Sequence, residues 1–170
     1  SLGTHNALAS LGGDQYLEIL APRPGAQLSP LFGGAAGKTA LTPILWAAAT
    51  DDIGAVHAAL TREGFAPCDP APGSRVTSDG ETLRWSMFMM QEGSPANSPF
   101  FIEWHGRTAH PSVSAPQGCL LSSFLVGSAD PEELSRLLGV VGLEGPRVGP
   151  GETVITLQTP QGRVALASAT

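Results

Sequence analysis

The chain has 170 residues, of which 42% are hydrophobic and 14% charged, and a net charge of −6; that length buries a full core in one domain or two small ones. The acid excess disfavours nucleic acid or an anionic membrane surface as partner, because both need clustered basic residues and Lys38 is the single lysine here. No apolar run has the length of a membrane span and no signal peptide is visible. Cys68 and Cys119 make neither a metal spacing nor a disulfide framework, which points to a reducing cytoplasm.

In chain order, Asn6–Leu11 and Gln15–Ala21 read as strands joined by a Gly12-Gly13-Asp14 turn. Ser1 is not a Met and the strand-like run begins almost at once, so the natural N-terminal segment is expected to be missing. Arg23–Lys38 is rich in Pro and Gly and reads as loop. Ile44–Thr50 is a strand candidate, and Thr50 or Asp51 is expected to cap a helix with Ile53, Val56 and Leu60 on one face, ended near Gly64. Cys68–Gly80 reads as loop with extended pieces, Thr82–Met90 as a strand, Gln91–Ser98 as a turn, Pro99–His105 as a strand and Gly106–Gln117 as an irregular link. A second helix has Asp130 as N-cap, Pro131 at its first position and Glu133 at the capping-box position, with a stripe of Leu134, Leu137, Leu138 and Val141. Two strands close the chain, Thr153–Thr159 and Arg163–Ala167, around Pro160-Gln161-Gly162.

One pattern occurs twice, about seventy residues apart. Ile44–Ile53, a helix-like stretch to Leu60 and Gly80-Glu81-Thr82 are echoed by Cys119–Val126, a helix-like stretch to Val141 and Gly151-Glu152-Thr153. A strand–helix–strands unit used twice predicts an α+β fold of repeated modules with mostly antiparallel sheets.

Several motifs have both a chemical and a plainer reading. Gly33–Thr39 looks like a phosphate loop but has Phe32 where the first glycine belongs, and Pro43 follows too soon for the required helix. Ser10, Ser74, Ser86 and Ser123 lack a Gly-x-Ser-x-Gly elbow, so a serine triad is not expected. Glu18 and Glu103 are lone acids inside the apolar runs Tyr16–Leu20 and Phe101–His105. Each either points to water from an edge strand or lines a cavity or metal site, because an unpaired buried carboxylate is costly. Alternation places Tyr16, Glu18 and Leu20 on one face, and Phe101, Glu103 and His105 on another. His5 and His105 would suit a divalent transition metal beside two carboxylates, although a hydrogen-bonded surface histidine is the plainer reading of each. His57 reads as structural and His110 as bordering a pocket. Arg75 and the pair Arg84-Trp85 would grip an anionic or aromatic ligand, or lie exposed on a half-buried strand.

The runs Gly3–Leu8, Tyr16–Pro22, Gly73-Ser74-Arg75, Asp79–Trp85 and Phe101–Trp104, in this order, resemble the glyoxalase-like domain family of the vicinal oxygen chelate superfamily. The resemblance implies βαβββ modules whose curved sheets wrap a cleft. Residues 1–111 would form paired modules, the first lacking its opening strand and helix, and residues 117–170 an additional partial module. In metal-using members a glutamate on the last strand of each module binds the ion, and Glu18 and Glu103 fall at those positions. Leu45 or Trp46 stands where the first strand of the second module would supply a His or Gln. The implied function is binding of a small organic ligand in the cleft, lined by Glu18, Glu103 and His5 with Arg75 and Trp85 at the mouth. Isomerase, lyase or dioxygenase chemistry would use the two carboxylates as bases, or as ligands of Zn, Ni, Mn or Fe with His5 and His105. The rival function is metal-free sequestration of an apolar ligand. The open edge of the last module predicts a homodimer.

Overall fold

The computed structural model describes residues 3–29, 32, 37–38, 40–77, 80–106 and 110–168. The phosphate-loop look-alike at Gly33–Thr39 lies largely outside the described residues. Ten strands and three helices are described: β1 (Thr4–Ser10), β2 (Tyr16–Pro22), β3 (Ala47–Ala49), α1 (Ile53–Arg62), β4 (Ala71–Val76), β5 (Thr82–Phe88), β6 (Phe100–His105), α2 (Pro111–Ser114), β7 (Leu120–Gly127), α3 (Pro131–Val140), β8 (Arg147–Gly149), β9 (Val154–Thr159) and β10 (Gly162–Ala167). The class is α+β and the pairing mostly antiparallel. No described helix is long and apolar enough to cross a membrane.

The chain divides into two compact units. The first comprises Ser1–Ile44, Ala109–Phe124 and Thr153–Thr170, and the second Leu45–Thr108 and Leu125–Glu152. β7 runs through the division.

In the first unit β1 and β2 form the expected hairpin, in register from Thr4 opposite Pro22 to Ser10 opposite Tyr16. The turn closes through Leu11 N–H donating to the Gln15 carbonyl at 2.9 Å. Ser10 and Ser112 are each 2% exposed, so the hairpin's end and the short helix α2 share the interior of this unit. That helix interrupts the stretch expected to be irregular: Pro111 starts it and the His110 side chain accepts from Ser112 N–H at its N-terminus. β9 and β10 pair around Thr159 and Gly162, and Cys119 is free, as is Cys68 in the second unit.

In the second unit the sheet order is β3-β6-β5-β4, with β3 parallel to β6 and the other pairs antiparallel. With α1 between β3 and β4 in sequence, this is a βαβββ arrangement. The helix covers one face. Phe88 and Phe101 stack there at 5.0 Å, the His57 ring meets Phe88 edge-on at 5.5 Å, and Leu60 is fully buried. The N-cap is Asp52, which accepts from Ala55 N–H at 2.8 Å, in place of the expected Thr50 or Asp51. Thr50 instead accepts from Asp52 N–H and steadies the approach to the cap.

Two segments differ from the expectation. Ala71–Val76, within the expected loop, is the edge strand β4, where Pro72 is tolerated because its missing N–H has no ladder partner to lose. In α3, Asp130 caps Glu133 N–H as expected, but Asp130 N–H donates to Ser128 and the Glu133 carboxylate turns to Arg136, so no reciprocal capping box forms. The Arg136 fork holds the Glu133 carboxyl below the usual carboxylate range, and its guanidinium lies 4.0 Å over the Phe65 ring. β7, α3, β8, β9 and β10 repeat the βαβββ order of elements. The pairing does not repeat, because β7 runs parallel to β8, the next strand, where β3 pairs with the last. Gly127 stands opposite Gly149 in this pairing, and a Cβ on it would overlap the carbonyl of Gly151, just past the end of β8.

Candidate functional site

Register decides which expected site residues meet. In the first unit Glu18 stands opposite Leu8, and the Asn6 side-chain amide donates to its carboxylate. His5 is opposite Ala21, one residue out of phase, and therefore on the other face of the hairpin. Glu18 and Asn6 are both exposed, so the acid is solvated and hydrogen-bonded. His110 meets the edge of the Tyr16 ring at 5.5 Å. Burial lowers its pKa, and the nearby Asp14 carboxylate opposes that shift.

That shift has a testable sign. A histidine with a lowered pKa in the folded state binds fewer protons there than in the unfolded chain, so acid favours unfolding. Stability is expected to fall as pH drops below about 6.5, the ordinary histidine value, and to level off below the folded-state pKa. His110→Asn, which keeps a cap acceptor for α2, should flatten this part of a melting-temperature profile. Equal slopes in both proteins would show that His110 does not drive it.

In the second unit Glu103 and His105 share a face, as alternation predicts, and that face is the helix side. Glu103 accepts from Ile53 N–H at 2.9 Å through Oε2, and its Oε1 lies 3.4 Å from His105 Nδ1. The carboxylate sits at the N-terminus of α1, where the helix dipole favours negative charge. This explains a lone acid in an apolar strand. Glu103→Ala is expected to cost about 1–2 kcal/mol in denaturant unfolding, and Glu103→Gln, which can still accept from Ile53 N–H, less. Equal losses would remove the capping role. The other nitrogen of His105, Nε2, lies 2.8 Å from Ser86 Oγ, a partner not foreseen because it depends on the pairing of Ser86 with Glu103.

Arg75 and Trp85 lie on the opposite face of the same sheet from Glu103 and His105, so one surface does not take all four. Trp85 pairs in register with both Trp104 and Gly73. The two indoles meet edge to face at 5.5 Å. A Cβ at Gly73 would overlap the Trp85 ring, so the missing side chain is what lets the indole lie across β4. Both tryptophans are half-exposed and Arg75 is exposed two residues beyond Gly73. The rest of this face is apolar: Ala47 and Ala49 on β3, Leu83 and Met87 on β5, Phe100 and Ile102 on β6. Leu45 and Trp46, where a metal ligand would be expected, precede β3, and the Trp46 indole donates to the Asn97 carbonyl.

Glu103 and His105 by themselves do not make a divalent-metal site. Among the described residues no group of three or more His, Cys, Asp or Glu could hold one, and protein zinc sites use at least three protein ligands. Glu103 and His105 offer two donors, already engaged with Ile53 and Ser86. A separate cavity of about 380 Å³ in the second unit is lined by Phe65, Ser94, Glu92, Asp130 and Glu133 among others and contains none of the expected site residues.

The sequence model of the glyoxalase-like domain matches residues 1–141. The crystal structure of a hypothetical protein from Staphylococcus aureus superposes with a TM-score of 0.61 at 18% identity, covering 98% of this chain and 72% of that one. Identity that low speaks for the fold alone. No curated protein matches the chain.

Proposed function

The chain belongs to the glyoxalase-like domain family, and from that premise we propose that it binds a small organic ligand on the Trp85–Trp104 face of the second unit. The observation that carries this reading is the indole pair itself, held edge to face with Trp85 laid across Gly73. Half-exposed indoles offer large, rigid contact area for a flat apolar ligand. Arg75 stands about 7 Å along β4 from Gly73, two residues at strand rise, where it would meet an anionic group at the ligand's edge. Isomerase, lyase or dioxygenase chemistry needs several convergent polar groups. This face brings one cation and an apolar wall, which favours holding a ligand over transforming it.

The test is quenching of tryptophan emission by 2-naphthoate and by the uncharged 2-naphthalenemethanol. Saturable quenching is expected, with naphthoate the tighter ligand, affinity lowered about tenfold or more in Trp104→Ala, and the naphthoate advantage lost in Arg75→Ala. No saturation, or unchanged affinity in Trp104→Ala, would overturn the proposal.

A homodimer is the assembly we propose, on the grounds that among the described residues β10 pairs only with β9 and leaves an outer edge that a second copy can extend. Light scattering at micromolar concentration should give twice the chain mass; a monomeric mass would contradict it.

A further inference from the structure

On the helix face of the same sheet, away from the tryptophans, three side chains stand in the order nucleophile, base, acid. Ser86 Oγ is 2.8 Å from His105 Nε2, His105 Nδ1 is 3.4 Å from Glu103 Oε1, and Glu103 Oε2 is held by Ile53 N–H at 2.9 Å. We propose that Ser86, His105 and Glu103 form a nucleophilic relay that hydrolyses small, activated esters.

The assignment rests on which nitrogen faces which partner. A carboxylate beside Nδ1 favours the tautomer with its proton there, and this leaves Nε2 to accept the serine proton. That is the arrangement by which a base activates a serine while a third group orients the base. Two structural features hold it. Ser86 and Glu103 are directly paired across β5 and β6, so the sheet register fixes their spacing. The amide of Ile53 fixes the carboxylate, so Glu103 acts as a positioning residue for His105. The imidazole side chain is 40% exposed and the carboxylate 23%, which leaves the base open to a ligand and the acid more sheltered.

The chemistry balances with water as the only co-reactant. Ser86 Oγ adds to the ester carbonyl carbon as its proton passes to His105 Nε2. The bond to the leaving oxygen then breaks, and Nε2 returns the proton to that oxygen, releasing the alcohol. Water repeats the sequence on the acyl-serine and releases the acid. Arg84 stands opposite His105 and is exposed on this face, so esters carrying a carboxylate should bind best.

The experiment is hydrolysis of 4-nitrophenyl acetate and 4-nitrophenyl hydrogen succinate by the full chain, with mass spectrometry of the protein after a fluorophosphonate. Ser86→Ala and His105→Ala should each lower the rate by about a hundredfold or more. The phosphonate should sit on Ser86 in the wild type and be absent in His105→Ala. Arg84→Ala should raise KM for the succinate ester several-fold more than for the acetate, so that the preference for the charged ester is lost. Ser86→Cys, which keeps a nucleophile, covers a folding defect in the alanine variant by retaining acyl transfer. A rate that survives in Ser86→Ala would mean a lone histidine base, and a wild type no faster than buffer would mean no relay; either result overturns the proposal.

Discussion

Phe101→Ala is expected to destabilise the protein by about 3–5 kcal/mol, the usual cost of removing a buried phenyl ring and leaving a cavity. Phe101 is 1% exposed, stacks on Phe88 at 5.0 Å and sits beside Ala48, itself 4% exposed, on the parallel strand. A loss of that size is a large fraction of a typical domain's stability of about 5–15 kcal/mol. Phe101→Leu, which refills most of the volume, should cost roughly 1–2 kcal/mol. Urea unfolding measures both. A loss below about 1 kcal/mol for Phe101→Ala would mean that the helix does not pack on this face.

The second large effect is on binding. Gly73→Ala adds one Cβ where the Trp85 indole lies, so the ring must leave β4 and its contact with Trp104. The backbone at Gly73 is not left-handed, so alanine brings no backbone strain and would by itself raise stability by about 0.4–1 kcal/mol through the unfolded chain. Affinity for 2-naphthoate is expected to fall about tenfold or more, with a changed near-ultraviolet circular dichroism from the indole pair. Retained affinity would show that the position of Trp85 does not matter to the ligand.

Local signals were legible in the sequence. Gly12-Gly13-Asp14 marked the hairpin, and Asp130-Pro131 marked the start of α3, because turn and cap chemistry depend on neighbouring residues. The shared face of Phe101, Glu103 and His105 also followed from alternation alone. What alternation does not say is which way that face looks. Only the pairing of β6 with β3 and β5 turns it to the helix, where Glu103 meets Ile53 N–H. The same limit separated His5 from Glu18: both lie in strand-like runs, and their opposite faces depend on the hairpin register. Ser86 lacked any local motif, because its partners are seventeen and nineteen residues away on the neighbouring strand. β4 was expected only as an extended piece of a loop, because Pro72, Gly73 and Ser74 have low strand propensity, which an edge position tolerates.

The most direct test of ligand binding on the tryptophan face is a two-dimensional nitrogen–proton spectrum of the three indole N–H groups during titration with 2-naphthoate. Variants of each tryptophan assign the signals, and Trp46, which donates to the Asn97 carbonyl, serves as the internal control. The Trp85 and Trp104 signals should shift together and saturate, while the Trp46 signal stays in place. No saturable shift, or a Trp46 shift as large as the other two, would contradict the account.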